Sequence, residues 1–452
     1  MPAPALLLTL AILGADPAPR DDGYRGIWYA NQATKDAYRY KYSGGFATYP
    51  QPHVPIAIHA PQAGKTFFVY GGRPKGRNTV RAMISYYDHR TGTVPRPAVV
   101  EDKPTDDAHD NPTLSIDAAG HLWVFSNAHG TSRPARIFRS VAPYAIDAFE
   151  TVATTNFSYS QPWFLPGHGF VVLHTRYSPG RNLFWMTSPD GREWSDPHPL
   201  ARVELGHYQI SKPRGSVLAT AFNVHPRPVG LNARTNLYFA ETADAGATWT
   251  AADGTPLRLP LTEMANPALV HDFRAEGQLV YLKDLVHDAD GRPVILFLNS
   301  RGYEPGPANG PRRWQTARWD GARWLLRPVA ESDHNYDFGS LAVEPDGSWT
   351  LVAPTDPGPE PFGAGGEVVL WKSPDRGETW NRVRALTTNS LLNHTYVRRP
   401  IDAHPDFAYL WADGGTRAPS DSALYFTDAA GSRVWKLPTQ MTGATAAPQA
   451  VR

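Results

Sequence analysis

The chain has 452 residues, with 44 Lys and Arg against 43 Asp and Glu, so its formal net charge is only +1. That balance argues against a nucleic-acid binder or a polyanion sponge, and any acidic ligand has to be met locally. It contains no cysteine, which leaves stability to packing; 14 Trp, 20 Tyr, 43 Pro and 38 Gly without a sustained helical period favour an all-β chain of short strands and turns.

From the N-terminus, the apolar run "ALLLTLAILGA" is too short to span a bilayer. With "DPAPR" behind it, it suits a secretory signal cleaved near Ala15. Residues 1–20 are therefore expected to be signal and leader, 21–440 the folded domain and 441–452 a disordered tail. The expected address is secreted or periplasmic, with no membrane contact after cleavage and no nucleic-acid partner.

Beyond the leader, a polar or aromatic opening, a strand, a turn with Asp and Gly, and further strands recur at a period of roughly fifty residues. The repeats open at His53, His109, Tyr159, His207, Val280, Asn335 and His394. Such a repeat predicts a seven-bladed β-propeller, with the long stretches between repeats as loops. Two segments, "TADAGATW" (242–249) and "SPDRGETW" (373–380), fit the Asp-box pattern of sialidase-like propellers, and "SPDGREW" (188–194) is a shortened version. In each, the Asp is expected to cap a tight turn, the Gly to take positive φ and the Trp to pack between blades.

The chemistry is expected at the opening ends of the inner strands. In "DDAHDNPTLSIDAAGHLWVFSNAHGTSRP" a hairpin centred near Ala119 sets His109 opposite His129. In "SYSQPWFLPGHGFVVLHTRY" a hairpin centred near Gly167 sets Tyr159 opposite Arg176. Later repeats add Tyr208, Asn223, Arg234, His394 and Arg398 to the candidate substrate-binding set, and His53 opens the first. Two His, a Tyr and an Arg without an obvious carboxylate pair fit poorly with glycoside hydrolysis, and they offer too few ligands for a catalytic zinc. β-Elimination from a uronic acid fits better. Arg neutralises the carboxylate, a His or Tyr takes the C5 proton, and the other protonates the departing O4.

At "DAHDNP", "HGTSRP", "SYSQPW" and "HTRY" the chain resembles the seven-bladed BNR-4 type polysaccharide lyases, which include ulvan lyases and rhamnosyl-glucuronate lyases. The resemblance runs from about "YRGIWY" to "LYFTD", although the stretch from His129 to Tyr159 is shorter than in those lyases. It implies that His109 and Tyr159 are the acid/base pair, that His129 and Arg176 bind the carboxylate, and that Tyr208 lines the subsite. The implied partner is an acidic polysaccharide of rhamnose and uronic acid, cut at a rhamnose-(1→4)-glucuronate linkage. No cofactor is required for the chemistry, and a structural calcium or zinc ion is compatible with it. Three other readings stay open: an exo-acting rhamnosyl-glucuronate lyase on arabinogalactan, a sialidase-like hydrolase, and a noncatalytic glycan-binding propeller.

Overall fold

The computed structural model describes residues 16–45 and 53–451. The apolar run read as a signal lies outside them, but residues 16–20 do not behave as a detached leader. Pro17 bridges to Ala148 and Arg20 to Ala98, so the chain joins the body before residue 21.

Six sheets are propeller blades of antiparallel strands. Five have four strands, with inner strands Pro112–Ile116, Ser158–Leu165, Gln209–Arg214, Leu279–His287 and Ser340–Val343. The sixth, opened by Asn393–Arg398, has five. Seven blades, as the repeats suggested, are not formed; the described residues make six. The segment after His53 enters a compound sheet of seven strands, which includes Ala57–Ala60, Lys65–Gly72 and Arg81–Asp88. It also takes in the N-terminal hairpin Gly26–Ala33 and Tyr40–Gly44 and the late strand Ser420–Ser422. The reason is pairing across the ends of the chain: Ile27 is registered with Asp421 while Gly26 also pairs with Gly72. The tail expected to be disordered is ordered as well, because Gln449–Ala450 pairs with Val434–Lys436 and Thr445–Ala446 with Val94–Pro95.

Inner strands are tied to their neighbours around the axis. Thr113 Oγ1 and Ser160 Oγ lie 2.7 Å apart, Trp163 Nε1 donates to Ser211 Oγ (2.8 Å), and Ser340 Oγ donates to Asp284 (2.6 Å). The ring closes where His59 N donates to Ile401 O and Ile401 N to Ala57 O, both at 2.9 Å. The openings His53, His109 and Tyr159 are thereby brought together, with the Tyr159 ring 5.3 Å from His53 and 5.6 Å from His109.

The three Asp turns follow the third strands of their blades. Thr248 donates twice to Asp244, and Gly246 N donates to Thr242 Oγ1 at 2.8 Å. Gly246 has φ 96°, and a Cβ there would fall 2.2 Å from Trp185 Nε1 of the preceding blade, so both conformation and packing demand glycine. Trp249 is buried with its ring 5.5 Å from Trp185, whereas Trp380 is only partly covered. Trp249→Ala is therefore expected to cost about 3–5 kcal/mol in denaturant unfolding. Trp380→Ala should cost clearly less; equal losses would show that exposure at the two turns does not set their contribution.

Candidate functional site

The predicted hairpin register holds at the first pair. Pro112 faces Ser126, and the same offset carried outward brings His109 to His129. Their rings stack at 3.9 Å with an interplanar angle of 13°. A one-turn 3-10 helix, Ala108–Asp110, positions His109, and its N-cap Asp107 accepts from His109 N at 3.1 Å. The Asp107 carboxylate also joins the two rings: Oδ1 accepts from His109 Nδ1 and Oδ2 from His129 Nδ1 (2.8 Å). An acceptor at both Nδ1 atoms selects the Nδ1–H tautomer and puts the lone pair on Nε2. Burial raises the Asp107 carboxyl, but hydrogen bonds from His109 and His129 outweigh it and hold the group far below the usual carboxylate range. Burial lowers His109, with Asp107 opposing, so its imidazole is neutral near pH 7. Behind the pair, Asp110 accepts from Arg133 Nε (2.9 Å) and from His129 N (3.1 Å), and Lys103 Nζ stands 3.3 Å away.

Tyr159 lies against this stack, its ring 5.6 Å from His109, 5.3 Å from His53 and 5.6 Å from Tyr208. It has φ 54°, a left-handed conformation that a tyrosine adopts at a cost. The cause is a β-bulge: Ser158 faces Thr175 but Gln161 faces Leu173, which leaves Tyr159 and Ser160 to share one opposing position. The Tyr159 hydroxyl is buried, and burial, with Tyr177 and Tyr208 beside it, pushes its pKa well up.

The register overturns the predicted opposition of Tyr159 and Arg176: Leu165 faces Gly169 and Gln161 faces Leu173, an offset that carried outward leads to Thr175 opposite Tyr159, and the bulge then gives Thr175 to Ser158. Arg176 projects away from the histidines, with its guanidinium 6.0 Å over Phe184 and its charge felt by His174. Because successive strand residues point to opposite faces, Tyr177 takes the site-facing position, its ring 5.7 Å from His129. The cation at the site is Arg181, paired across the next hairpin with Tyr177 and 5.5 Å over that ring. Tyr208, with burial opposing, and then Tyr177 and Tyr159 raise the already high pKa of Arg181.

Two further cations share this end of the axis. Arg234 is buried, donates to Tyr336 Oη (2.7 Å), and lies 5.1 Å over Tyr208 and 4.4 Å over Tyr281. Lys41 arrives on the N-terminal hairpin, bonded to Asn232 Oδ1 and to Gln32 Oε1 (3.3 Å). Burial, then Arg234 and Arg181, lower its pKa to about 7. His225, with its ring 4.7 Å from Tyr208, is buried with both ring nitrogens unpartnered; burial and Arg234 hold it neutral.

Of the remaining predicted residues, His53 joins the site, with Nε2 3.2 Å from His109 O and N donating to Tyr396 Oη (2.8 Å). Asn223 positions backbone: its Oδ1 accepts from Tyr208 N (3.0 Å) and its Nδ2 donates to Val280 O (2.9 Å). Arg398 is buried in the axis, donating to Lys283 O and Gly339 O. His394 is elsewhere, bonded to Ser390 and Trp411 beside a 540 Å³ cavity between the last two blades. Sequence reasoning passed over Asp107, Tyr177, Arg181 and Lys41. The D-x-H spacing of Asp107 and His109, and the tight "SPG" turn between Tyr177 and Arg181, were the available signals.

Asp107, His109 and His129 present ligand atoms within 4.8 Å of one another and could hold an ion, but their carboxylate oxygens and Nδ1 atoms already satisfy each other. A larger cavity, 740 Å³, lies among the Asp turns beside Trp185 and Trp249, away from these groups.

The model of the BNR repeat-containing family matches residues 80–332, more than half of the chain and the span that contains the stack, Tyr159 and Arg181. An ulvan lyase of Nonlabens ulvanivorans is 23% identical over 344 residues, 68% of this chain and 71% of that protein. The ulvan lyase PL25 of Pseudoalteromonas sp. (strain PLSV) is 24% identical over 409 residues, 79% and 80% of the two chains. Among solved structures, a PL25 ulvan lyase bound to -[GlcA(1-4)Rha3S]- superposes with a TM-score of 0.69 at 18% identity, over 91% of this chain and 96% of that one.

If Asp107 fixes both tautomers, nitrogen NMR of the native protein near neutral pH should show His109 protonated at Nδ1. In Asp107→Asn this preference should weaken, because the side-chain amide can present either a donor or an acceptor to the ring. An unchanged tautomer in the variant would mean that another group orients the ring.

Proposed function

The chain belongs to the BNR repeat-containing family, and we propose that it is a secreted polysaccharide lyase. The proposed reaction is β-elimination at a rhamnose-(1→4)-glucuronate type linkage of an ulvan-like acidic glycan. The observation that carries this reading is the meeting of a neutral, Asp-oriented His109 with a protonated Tyr159 beside the guanidinium groups of Arg181 and Arg234. Similarity to ulvan lyases over two thirds or more of the chain supports the substrate class.

The proposed roles follow from protonation state. His109, neutral and with its lone pair on Nε2, takes the C5 proton. Electrons from that C–H bond form the C4–C5 double bond, the C4–O4 bond breaks, and the Tyr159 hydroxyl donates its proton to the departing oxygen. Without help the abstraction would build charge on the uronate carboxylate. Arg181 is the group suited to hold that charge, with His129 flanking it and with Lys41 and Arg234 adding positive potential. Hydrolysis is less well served, since it calls for two available carboxyl groups. Here Asp107 is taken by two imidazoles and Asp110 by Arg133. His53 and Tyr208 would line the sugar-binding wall. Secretion rests on the N-terminal apolar run alone.

The test follows the unsaturated product by ultraviolet absorbance on ulvan. His109→Ala should lose about 10²–10⁴-fold in kcat, as expected for removal of a general base. Arg181→Lys should lower kcat more than it raises KM, because the lost fork matters most in the transition state. Arg176→Ala should leave both constants nearly unchanged. A disabled Arg176→Ala alongside an intact Arg181→Lys would restore the original assignment of the clamp, and absence of the chromophore with the native protein would overturn the lyase reading.

A further inference from the structure

On the face opposite the His109 stack, three imidazoles converge where the ring closes. His59 lies within Ala57–Ala60, His89 directly follows Arg81–Asp88, and His404 sits between Asn393–Arg398 and Tyr409–Gly414. The ring centroids of His89 and His404 are 3.8 Å apart; His59 is 5.1 Å from His404 and 5.2 Å from His89. Asp406 adds a carboxylate oxygen 3.7 Å from His404 Nδ1. His89, His404 and Asp406 already present ligand atoms within 4.8 Å of one another.

The outer hydrogen bonds resemble those that orient metal-binding histidines. His59 Nδ1 is held by Asp402 O at 2.9 Å and His89 Nε2 by Thr66 Oγ1 at 2.8 Å, so each ring is fixed through one nitrogen. The other nitrogen of His89, Nδ1, is buried and has no hydrogen-bond partner. A buried, unpartnered acceptor is costly, and a ligated cation would satisfy it.

We propose that His89, His404 and Asp406, completed by His59, bind a divalent ion of the zinc class that staples the compound first sheet to the last blade. Three nitrogens and one carboxylate make a zinc-type donor set, whereas calcium takes six to eight oxygens. The location explains its use. The seam is joined by main-chain bonds between Ala57–His59 and Ile401, by the His53–Tyr396 hydrogen bonds and by packing of Phe68 and Tyr87 on Phe407, and a chain without cysteine has no disulfide to add to them. The Asp107 cluster is the poorer candidate, because its groups are already paired to one another.

The experiment uses the full chain stripped with chelator, then dialysed against zinc, with bound metal counted by elemental mass spectrometry and the thermal transition recorded. The native protein should bind about one zinc and unfold at a higher temperature with it, as ligand linkage requires. His404→Ala and His59→Ala, neither ring being fully buried, should fold, lose at least about tenfold in zinc affinity and show no zinc-dependent shift. The proposal fails if the native protein takes up no zinc. It fails equally if calcium produces the shift, or if uptake survives His404→Ala and is abolished by His129→Ala, which would move the ion to the Asp107 cluster.

Discussion

A single carboxylate, that of Asp107, is the constraint on which the site depends. Burying it would be prohibitive alone, and it is tolerated because two imidazoles and the nearby Arg133 surround it. In return it fixes the tautomer of both rings and holds them in a parallel stack. Asp107 belongs to the turn that leads into an inner strand, and His129 to the end of the neighbouring strand, so the propeller's first regular hairpin sets the geometry before any side chain packs.

The second constraint is the bulge at Tyr159. It spends a left-handed tyrosine and a register shift, and it gains a phenol pressed between His53, His109 and Tyr208. Tyr396, with φ 62°, repeats the device in the last blade and binds His53 through its hydroxyl. Strain of this kind persists only where the surroundings over-determine it. Here the interblade bonds of the inner strands do so, and positive charge from Lys41, Arg181 and Arg234 accumulates beside the strained residues. The arrangement sacrifices local stability to set a phenol and an imidazole beside buried guanidinium groups.

The histidine stack was legible because hairpin pairing is local: once the turn at Asp117–Gly120 is placed, the offset of every opposed pair follows. Arg176 was misassigned because the hairpin register falls one residue short of the opposition read from the sequence, and regular alternation along Gly169–Tyr177 turns Tyr177, not Arg176, toward the histidines. Lys41 could not be read at all. It reaches the site only because the N-terminal hairpin joins the compound sheet through pairing with Ser420–Ser422, nearly the whole chain away. That long-range pairing also explains why seven recognisable repeats produce six regular blades and one compound sheet.

The central claim is that the His109–Tyr159 pair breaks a glycosidic bond without adding water. The most direct measurement digests the polysaccharide in water enriched in the heavy oxygen isotope and weighs the products immediately after cleavage. Elimination predicts that each new non-reducing end lacks the elements of water and that cleavage itself inserts no heavy oxygen. Products carrying one heavy oxygen per cut, with no unsaturated end, would mean hydrolysis and would contradict the account.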